Sequence, residues 1–326
     1  MKINYARASS LGSYDSCQFQ YYLDYSLGLG SKAGKKALLG TISHLALELL
    51  AKVKKTGHHK LNDKYSNIYY LLNIAWDRNV KENPQFEYTQ ADYDFCVEMV
   101  EIVLKTKYNP LLLHVIATEK QFEIEMNVPG FGKQPFYLRG TIDLITEIDK
   151  DTLHVIDWKT GERKSWSTGK LKELEDFQKD IQLRLYDLAL SVIYPQYKKR
   201  MFTIYFVRSG GPYTVSFSDA ERKQTLDILR RYYNKIATNE MPDRLKDDGT
   251  KRDQTWKCKY VCHYGKTIAK NGKPLCDVYY GVLKNEGLEA AGKKIVALSI
   301  EGQPVDPPSR RNNFANPKLF KGKLIS

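Results

Sequence analysis

From Ala117 onward the apolar residues stop recurring every three or four positions and begin to alternate every second one, with two polar turns before Trp158. Phe122, Ile124 and Met126 alternate with polar neighbours. Pro129, Gly130 and Gly132 then mark a turn, and Asp149, Lys150 and Asp151 mark another. Side chains on an extended chain face opposite sides in turn, so this pattern predicts a three-strand meander with strands from Ala117, over Phe136–Ile148 and over Leu153–Trp158. Few folds accommodate such a meander between helices, and all need one sheet packed against helical layers.

The helical pattern precedes and follows it. Leu38, Ile42, Leu45, Leu49 and Val53 form an apolar stripe that predicts a helix over Ala37–Lys55, ended by Gly57. Helical patterns at about Asp63–Lys81 and Gln90–Lys107, the latter stopped by Asn109-Pro110, read as an insertion at about 58–115. After the meander come a helix over about Leu174–Ile193, a hairpin of Met201–Arg208 with Tyr213–Phe217, and a basic helix from Ser218 to about Thr238.

The chain of 326 residues carries 51 Lys plus Arg against 38 Asp plus Glu, a formal net charge of +13 that calls for a polyanionic partner. With 42% hydrophobic and 12% aromatic residues it can bury a core, which excludes disorder throughout. No apolar run approaches the roughly 18 residues that span a bilayer, and Met1–Ser10 lack the apolar stretch of a secretory signal, so a soluble, cytoplasmic protein is expected.

Carboxylates stand on the second and third predicted strands. Asp143 lies in Gly140-Thr141-Ile142-Asp143 on the second strand, and Asp157 and Lys159 lie in Asp157-Trp158-Lys159-Thr160-Gly161 where the third finishes. Adjacent strands can bring the two acids together as a site for a hard divalent cation such as Mg²⁺. Residues two apart on a strand share a face, so Lys159 joins Asp157 in one cleft while Trp158 turns away and offers only its backbone carbonyl. At about 100° per residue, His44 points away from the Ile42-Leu45-Leu49 stripe with Glu48 one turn on. Gln178, Gln182 and Tyr186 are spaced to line one side of their helix.

This order of motifs, Gly40-x-x-x-His44, Gly140-x-x-Asp143, Asp157-x-Lys159-Thr160 and Gln182-x-x-x-Tyr186, resembles the RecB-type branch of the PD-(D/E)XK nuclease superfamily over most of residues 1–240. The resemblance implies a restriction-endonuclease-like α/β core, a mixed central sheet flanked by helices. It makes His44, Asp143, Asp157 and the Trp158 carbonyl ligands of Mg²⁺ or Mn²⁺, Lys159 the catalytic lysine, and Gln182 and Tyr186 a supporting helix pair. Glu119, on the first strand, stands where some members place a further acid. The activity implied is phosphodiester hydrolysis by a deoxyribonuclease, an exonuclease on free or single-stranded DNA ends in recombination, repair or phage DNA processing. Rival readings are a catalytically silent DNA-binding subunit of a helicase or recombination complex, and a structure-specific endonuclease.

The opening Ser10-Leu11-x-x-Tyr14-x-x-Cys17-Gln18-x-x-Tyr21 resembles the iron-sulfur members of that family, the AddB-type helicase-nucleases and CRISPR adaptation nucleases. That likeness implies a [4Fe-4S] cluster on Cys17, Cys258, Cys262 and Cys276, in a Cys-rich module over 241–284. The late cysteines are spaced more widely than is usual there, and Zn²⁺ bound with Cys17 or His263 remains open. Cys96 falls in the apolar rhythm of a helix and reads as core. Basic residues at 198, 199, 200, 208, 222, 223, 230 and 231 could follow phosphates, with Tyr232 and Tyr233 as stacking platforms. The stretch 285–326, poor in large apolar residues, reads as a basic, mobile tail. A helicase or recombination protein is a possible partner.

Overall fold

The alternating segments are three long antiparallel strands, and the other elements build outward from them. The computed structural model describes residues 1, 3–30, 34–60, 67–132, 134–164, 169–245, 256–301 and 319–325. In chain order these form β1 (Tyr5–Ala6), α1 (Ala8–Ser16), α2 (Gln18–Tyr21), α3 (Lys35–Thr56), α4 (Ile68–Glu82), α5 (Gln90–Leu104), β2 (His114–Asn127), β3 (Tyr137–Asp149) and β4 (Thr152–Lys159). There follow α6 (Leu174–Gln178), α7 (Ile181–Ile193), β5 (Lys199–Phe206), β6 (Gly210–Val215), α8 (Asp219–Ala237), α9 (His263–Lys266), α10 (Leu275–Glu301) and β7 (Phe320–Ile325). The sheet runs β6-β5-β4-β3-β2-β7, with β1 also pairing β3. It is mixed, because β4 and β5 pair in parallel, as do β2 and β7. This is the expected α/β core, a mixed central sheet flanked by helices.

Alternation along the strands sorts side chains into two apolar layers. Ile142, Val155, Phe202 and Ile204 face one layer with Leu11, Phe19, Leu183, Leu190 and Leu229 from α1, α2, α7 and α8. Leu144, Ile156, Trp158 and Tyr205 face the other, against Ile42, Leu47, Leu50, Leu72 and Val100 from α3, α4 and α5. Cys96 is buried in that second layer.

Four details depart from expectation. On α3 the buried arc is Leu38, Leu39, Ile42, Ser43, Ala46, Leu47, Leu50 and Ala51, while Leu45 and Leu49 are only partly buried. This helix is covered by the sheet and by two neighbouring helices, so its buried arc is broad and rotated from the predicted stripe. The helix expected over 174–193 is two helices, because the Asp180 side chain accepts hydrogen bonds from the Gln182 and Leu183 backbone N–H groups and starts a new one. Leu174 is exposed as a result. The hairpin strands begin two to three residues earlier than read, at Lys199 and Gly210.

The fourth departure concerns the expected tail. α10 breaks at Gly287 (φ 74°, ψ 173°) and its second helical piece runs on to Glu301, with Ala291 and Ile295 buried, and β7 lies in parallel on β2. Leu324 and Phe320 pack on the first apolar layer. Small alanines and widely spaced aliphatics suffice to dock a long helix, which a count of large apolar residues undervalues. The basic residues at 310, 311 and 318 lie outside the described residues.

Candidate active site

Strand register brings the acids into a row. Leu144 pairs with Ile156 across β3 and β4, and one further step sets Asp143 opposite Asp157. Across β2 and β3, the pairs Thr118–Leu144 and Lys120–Ile142 flank Glu119 and Asp143, which oppose each other in the same way. Three carboxylates therefore stand side by side on adjacent strands, which in a sheet lie about 4.8 Å apart. Glu119 has φ 44°, a left-handed backbone that interrupts the alternation of β2.

Two helices close on this row. α3 brings His44, whose Nδ1 is 3.3 Å from Asp143 Oδ2. It can approach because Gly40 lacks a side chain: a Cβ there would lie 2.7 Å from Thr160 Oγ1, one residue past Lys159. α7 brings Gln182, whose Nε2 donates to Asp157 Oδ1 at 2.8 Å and to the Tyr186 hydroxyl at 2.7 Å. Its Oε1 accepts from Lys159 Nζ at 3.3 Å. Tyr186 in turn donates to the Thr141 carbonyl at 2.6 Å, pinning α7 to β3. Lys159 Nζ lies 2.5 Å from Asp157 Oδ2. Trp158 faces the opposite layer, as its place between Asp157 and Lys159 requires.

Burial and crowding shift these groups. Asp157 is 1% exposed, and burial together with Asp143 raises its pKa although Lys159 opposes the rise. Burial disfavours the charged forms of Lys159 and His44, yet the facing carboxylates more than offset this and raise both, keeping the lysine an ammonium. Glu119 is pushed up to about 8 by burial and by Asp143 and Glu48. Like charges gathered out of water produce such shifts, and they mark sites built to hold a cation.

The donor chemistry fits a hard divalent ion. Asp143 Oδ2 and Asp157 Oδ2 are buried, the first facing His44 Nδ1 at 3.3 Å and the second Lys159 Nζ at 2.5 Å. Paired buried carboxylates are costly unless their charge is met, and Mg²⁺ or Mn²⁺ prefers such oxygens. Among the described residues, however, no group of three or more His, Cys, Asp or Glu already surrounds a point suited to one ion. Lys159 and His44 stand against the carboxylates instead. A cleft of about 1090 Å³, walled by His44, Glu48, Lys52, Arg78, Glu119 and Lys120, opens beside the row.

Comparison with known proteins identifies the family. A family model described as the PD-(D/E)XK nuclease superfamily matches residues 8–267. The chain belongs to that superfamily. Among curated relatives of this PD-(D/E)XK protein is an ATP-dependent helicase/deoxyribonuclease subunit from Lactococcus lactis subsp. lactis (strain IL1403), 24% identical over 161 residues, which are 48% of this chain and 15% of the relative. Another is the "Exonuclease/helicase subunit RexB" of Lactococcus lactis subsp. cremoris (strain MG1363), with the same identity and coverage. The chain thus spans only a small part of their length. A solved structure of an exonuclease candidate from Eubacterium rectale covers 77% of this chain and 87% of its own, at 13% identity and a TM-score of 0.44.

Other expected residues fall differently in the PD-(D/E)XK protein. Gln178 does not join Gln182 and Tyr186: the helix break turns it toward the Ser216 carbonyl and Glu221, which it reaches at 2.9 and 2.6 Å. Arg200 and Arg222 are not free to follow phosphates, because both clamp the buried carboxylate of Asp187, at 2.8 and 2.6 Å. Arg208 lies over the Phe95 ring. Tyr233 packs edge-on against Phe131 and Phe136, and Tyr232 bonds Asp15, so neither is a stacking platform. The Thr141 carbonyl that anchors Tyr186 had no signal in the sequence, since every residue carries one.

Cys17, Cys258, Cys262 and Cys276 line a single cavity of about 250 Å³ together with His263. Burial pushes the Cys262 thiol up to about 11. Gly265 lets the chain fold tightly here, since a Cβ would lie 2.1 Å from the Cys258 carbonyl oxygen. No helix among the described residues is long and apolar enough to cross a membrane.

Proposed function

We propose that the chain is a divalent-metal-dependent deoxyribonuclease acting from DNA ends, an exonuclease in recombination, repair or phage DNA processing. One observation carries the reading: Asp143, Asp157, Lys159 and Gln182, from three separate elements, converge, with Lys159 against Asp157 Oδ2 and His44 against Asp143 Oδ2. Membership of the superfamily and the names of the Lactococcus relatives support DNA as substrate and a helicase as partner.

Asp143 and Asp157, aided by His44 and the Trp158 carbonyl, would hold Mg²⁺ or Mn²⁺, which when bound polarises the phosphate and acidifies a water. Gln182 fixes both Asp157 and Lys159, so the carboxylate and the ammonium keep their relative positions as the phosphate enters. The facing carboxylates keep Lys159 an ammonium, with Nζ 2.5 Å from Asp157 Oδ2, where it orients the attacking water and offsets charge on the phosphoryl oxygens. His44 holds Asp143 in place, and Tyr186 holds Gln182. Glu119, at the cleft end of the row, is a further acid able to exchange a proton with water.

The four cysteines around one cavity support a second element of the proposal, a structural [4Fe-4S] cluster, with Zn²⁺ as the alternative. Thiolates suit both, and a cuboid cluster holds its sulfurs farther apart than a single ion does. Iron and zinc analysis of anaerobically purified protein, with its absorbance near 400 nm, decides between them. For the activity, linear DNA and covalently closed circles are incubated with Mg²⁺. Loss of linear DNA alone supports the exonuclease, loss of both identifies an endonuclease, and loss of neither refutes catalysis and leaves a DNA-binding subunit.

A further inference from the structure

A basic hollow lies on the side of α7 away from the active site. Arg184 follows Gln182 by two residues, and at about 100° per residue their side chains leave the helix in nearly opposite directions. Arg184 lines a cavity of about 570 Å³ with Lys179, from the link between α6 and α7, and with Asp227, Arg230 and Arg231 of α8. It is 8% exposed. Its guanidinium lies over the Phe217 ring, 5.5 Å from the centroid, and its Nε donates to the Gln178 carbonyl at 3.0 Å. Its buried Nη1 finds no acceptor among the described residues.

The charge around it is unbalanced. Asp227 neutralises Arg230 at 2.7 Å. Glu221, the acid that feels Arg184, already accepts from Gln178 Nε2 and from the Ser218 backbone and hydroxyl. No ion pair joins Lys179 or Arg231 to an acid of the described residues, and both are exposed at the rim. Sequence-wide surplus of positive charge is ordinary, but a buried guanidinium fixed on an aromatic ring with a free donor is not. Such a group is paired in native proteins, and its planar fork matches the oxygens of a phosphate.

We propose that this hollow is a second phosphate site, which grips the DNA backbone on the far side of α7 from the catalytic carboxylates. The ligand is a backbone phosphodiester, held through charge and therefore independent of sequence. A helix with its side chains is about 10 Å across, so the gripped phosphate lies beyond the nucleotide being cut. DNA as the ligand rests on the nuclease reading, but the grip does not require cleavage.

The test is fluorescence anisotropy of labelled DNA of about 20 nucleotides in EDTA, across a range of salt concentrations. Lys179→Glu/Arg231→Glu is compared with wild type and with Lys105→Glu/Lys150→Glu, exposed residues elsewhere that change the net charge equally. The hollow variant is expected to bind about tenfold more weakly than the control variant, with a salt slope shallower by about 1 to 2. Equal affinity and slope for the two variants, each melting like wild type, would overturn the proposal. Should wild type cut no DNA with Mg²⁺ while the hollow variant still loses affinity, the nuclease reading fails and this inference stands; cleavage with equal binding gives the converse.

Discussion

A carboxylate with almost no exposure must have its charge met by neighbours, and Asp157 meets Lys159 and Gln182 while also facing a second acid, Asp143. Glu119 extends the crowding. Its pKa of about 8 means that the folded chain keeps a proton which the unfolded chain releases near the ordinary value of roughly 4.3. Stability from this group is complete below the unfolded value and is lost as pH rises through about 8. In EDTA the wild-type melting temperature should therefore fall by several degrees from pH 6 to pH 9, and Glu119→Gln should flatten that slope. Parallel profiles would show that Glu119 is not the group responsible. At this scale much was legible: Asp143 and Asp157 follow from their places on adjacent strands, Lys159 from a spacing of two, and Gln182 and Tyr186 from a helical spacing of four. Gln178 was misplaced because the Asp180 cap that breaks the helix is a local hydrogen bond, which apolar periodicity does not register.

Between elements, the site depends on contacts that single residues permit. Gly40 lets α3 meet the end of β4, and Gly40→Ala should cost about 1 to 3 kcal/mol and reduce activity. Removing the hydroxyl in Gly40→Ala/Thr160→Ala leaves the nearest remaining atom, Thr160 Cβ, at 3.9 Å, so the second change should recover much of the loss in denaturant melts. Additive losses would contradict a direct clash. Behind the site, Asp187 on α7 ties β5 through Arg200 and α8 through Arg222. Asp187→Ala would leave the buried Arg200 without a carboxylate and Arg222 with only Asp219, and should destabilise by roughly 3 to 5 kcal/mol, read from urea midpoints. A shift below about 1 kcal/mol would show that water replaces the carboxylate. The meander and the flanking helices were legible from period alone. The clamp was not, because Arg200 and Arg222 look like any basic residues until β5 and α8 are docked on Asp187.

Across the whole molecule, one mixed sheet separates two apolar layers, and the acids stand on its central strands, Glu119 and Asp143 within β2 and β3 and Asp157 near the end of β4. Both ends of the chain return to the same layer: Cys17 shares a cavity with the late cysteines, and β7 extends the sheet beside β2. The cysteine half of this closure was implied by the resemblance to the iron-sulfur members, whereas the β7 pairing was hidden from composition, since pairing between residues some 200 positions apart leaves no local pattern. The central claim is that this fold assembles a cation-dependent centre around Lys159. Hydrolysis of linear DNA is to be followed with Mg²⁺, after chelation with EDTA, and with Lys159→Ala under the same conditions. Cleavage by wild type that EDTA abolishes and that Lys159→Ala lowers by roughly 10² to 10³-fold is the predicted result. Cleavage that persists in EDTA, or that Lys159→Ala leaves intact, would contradict it.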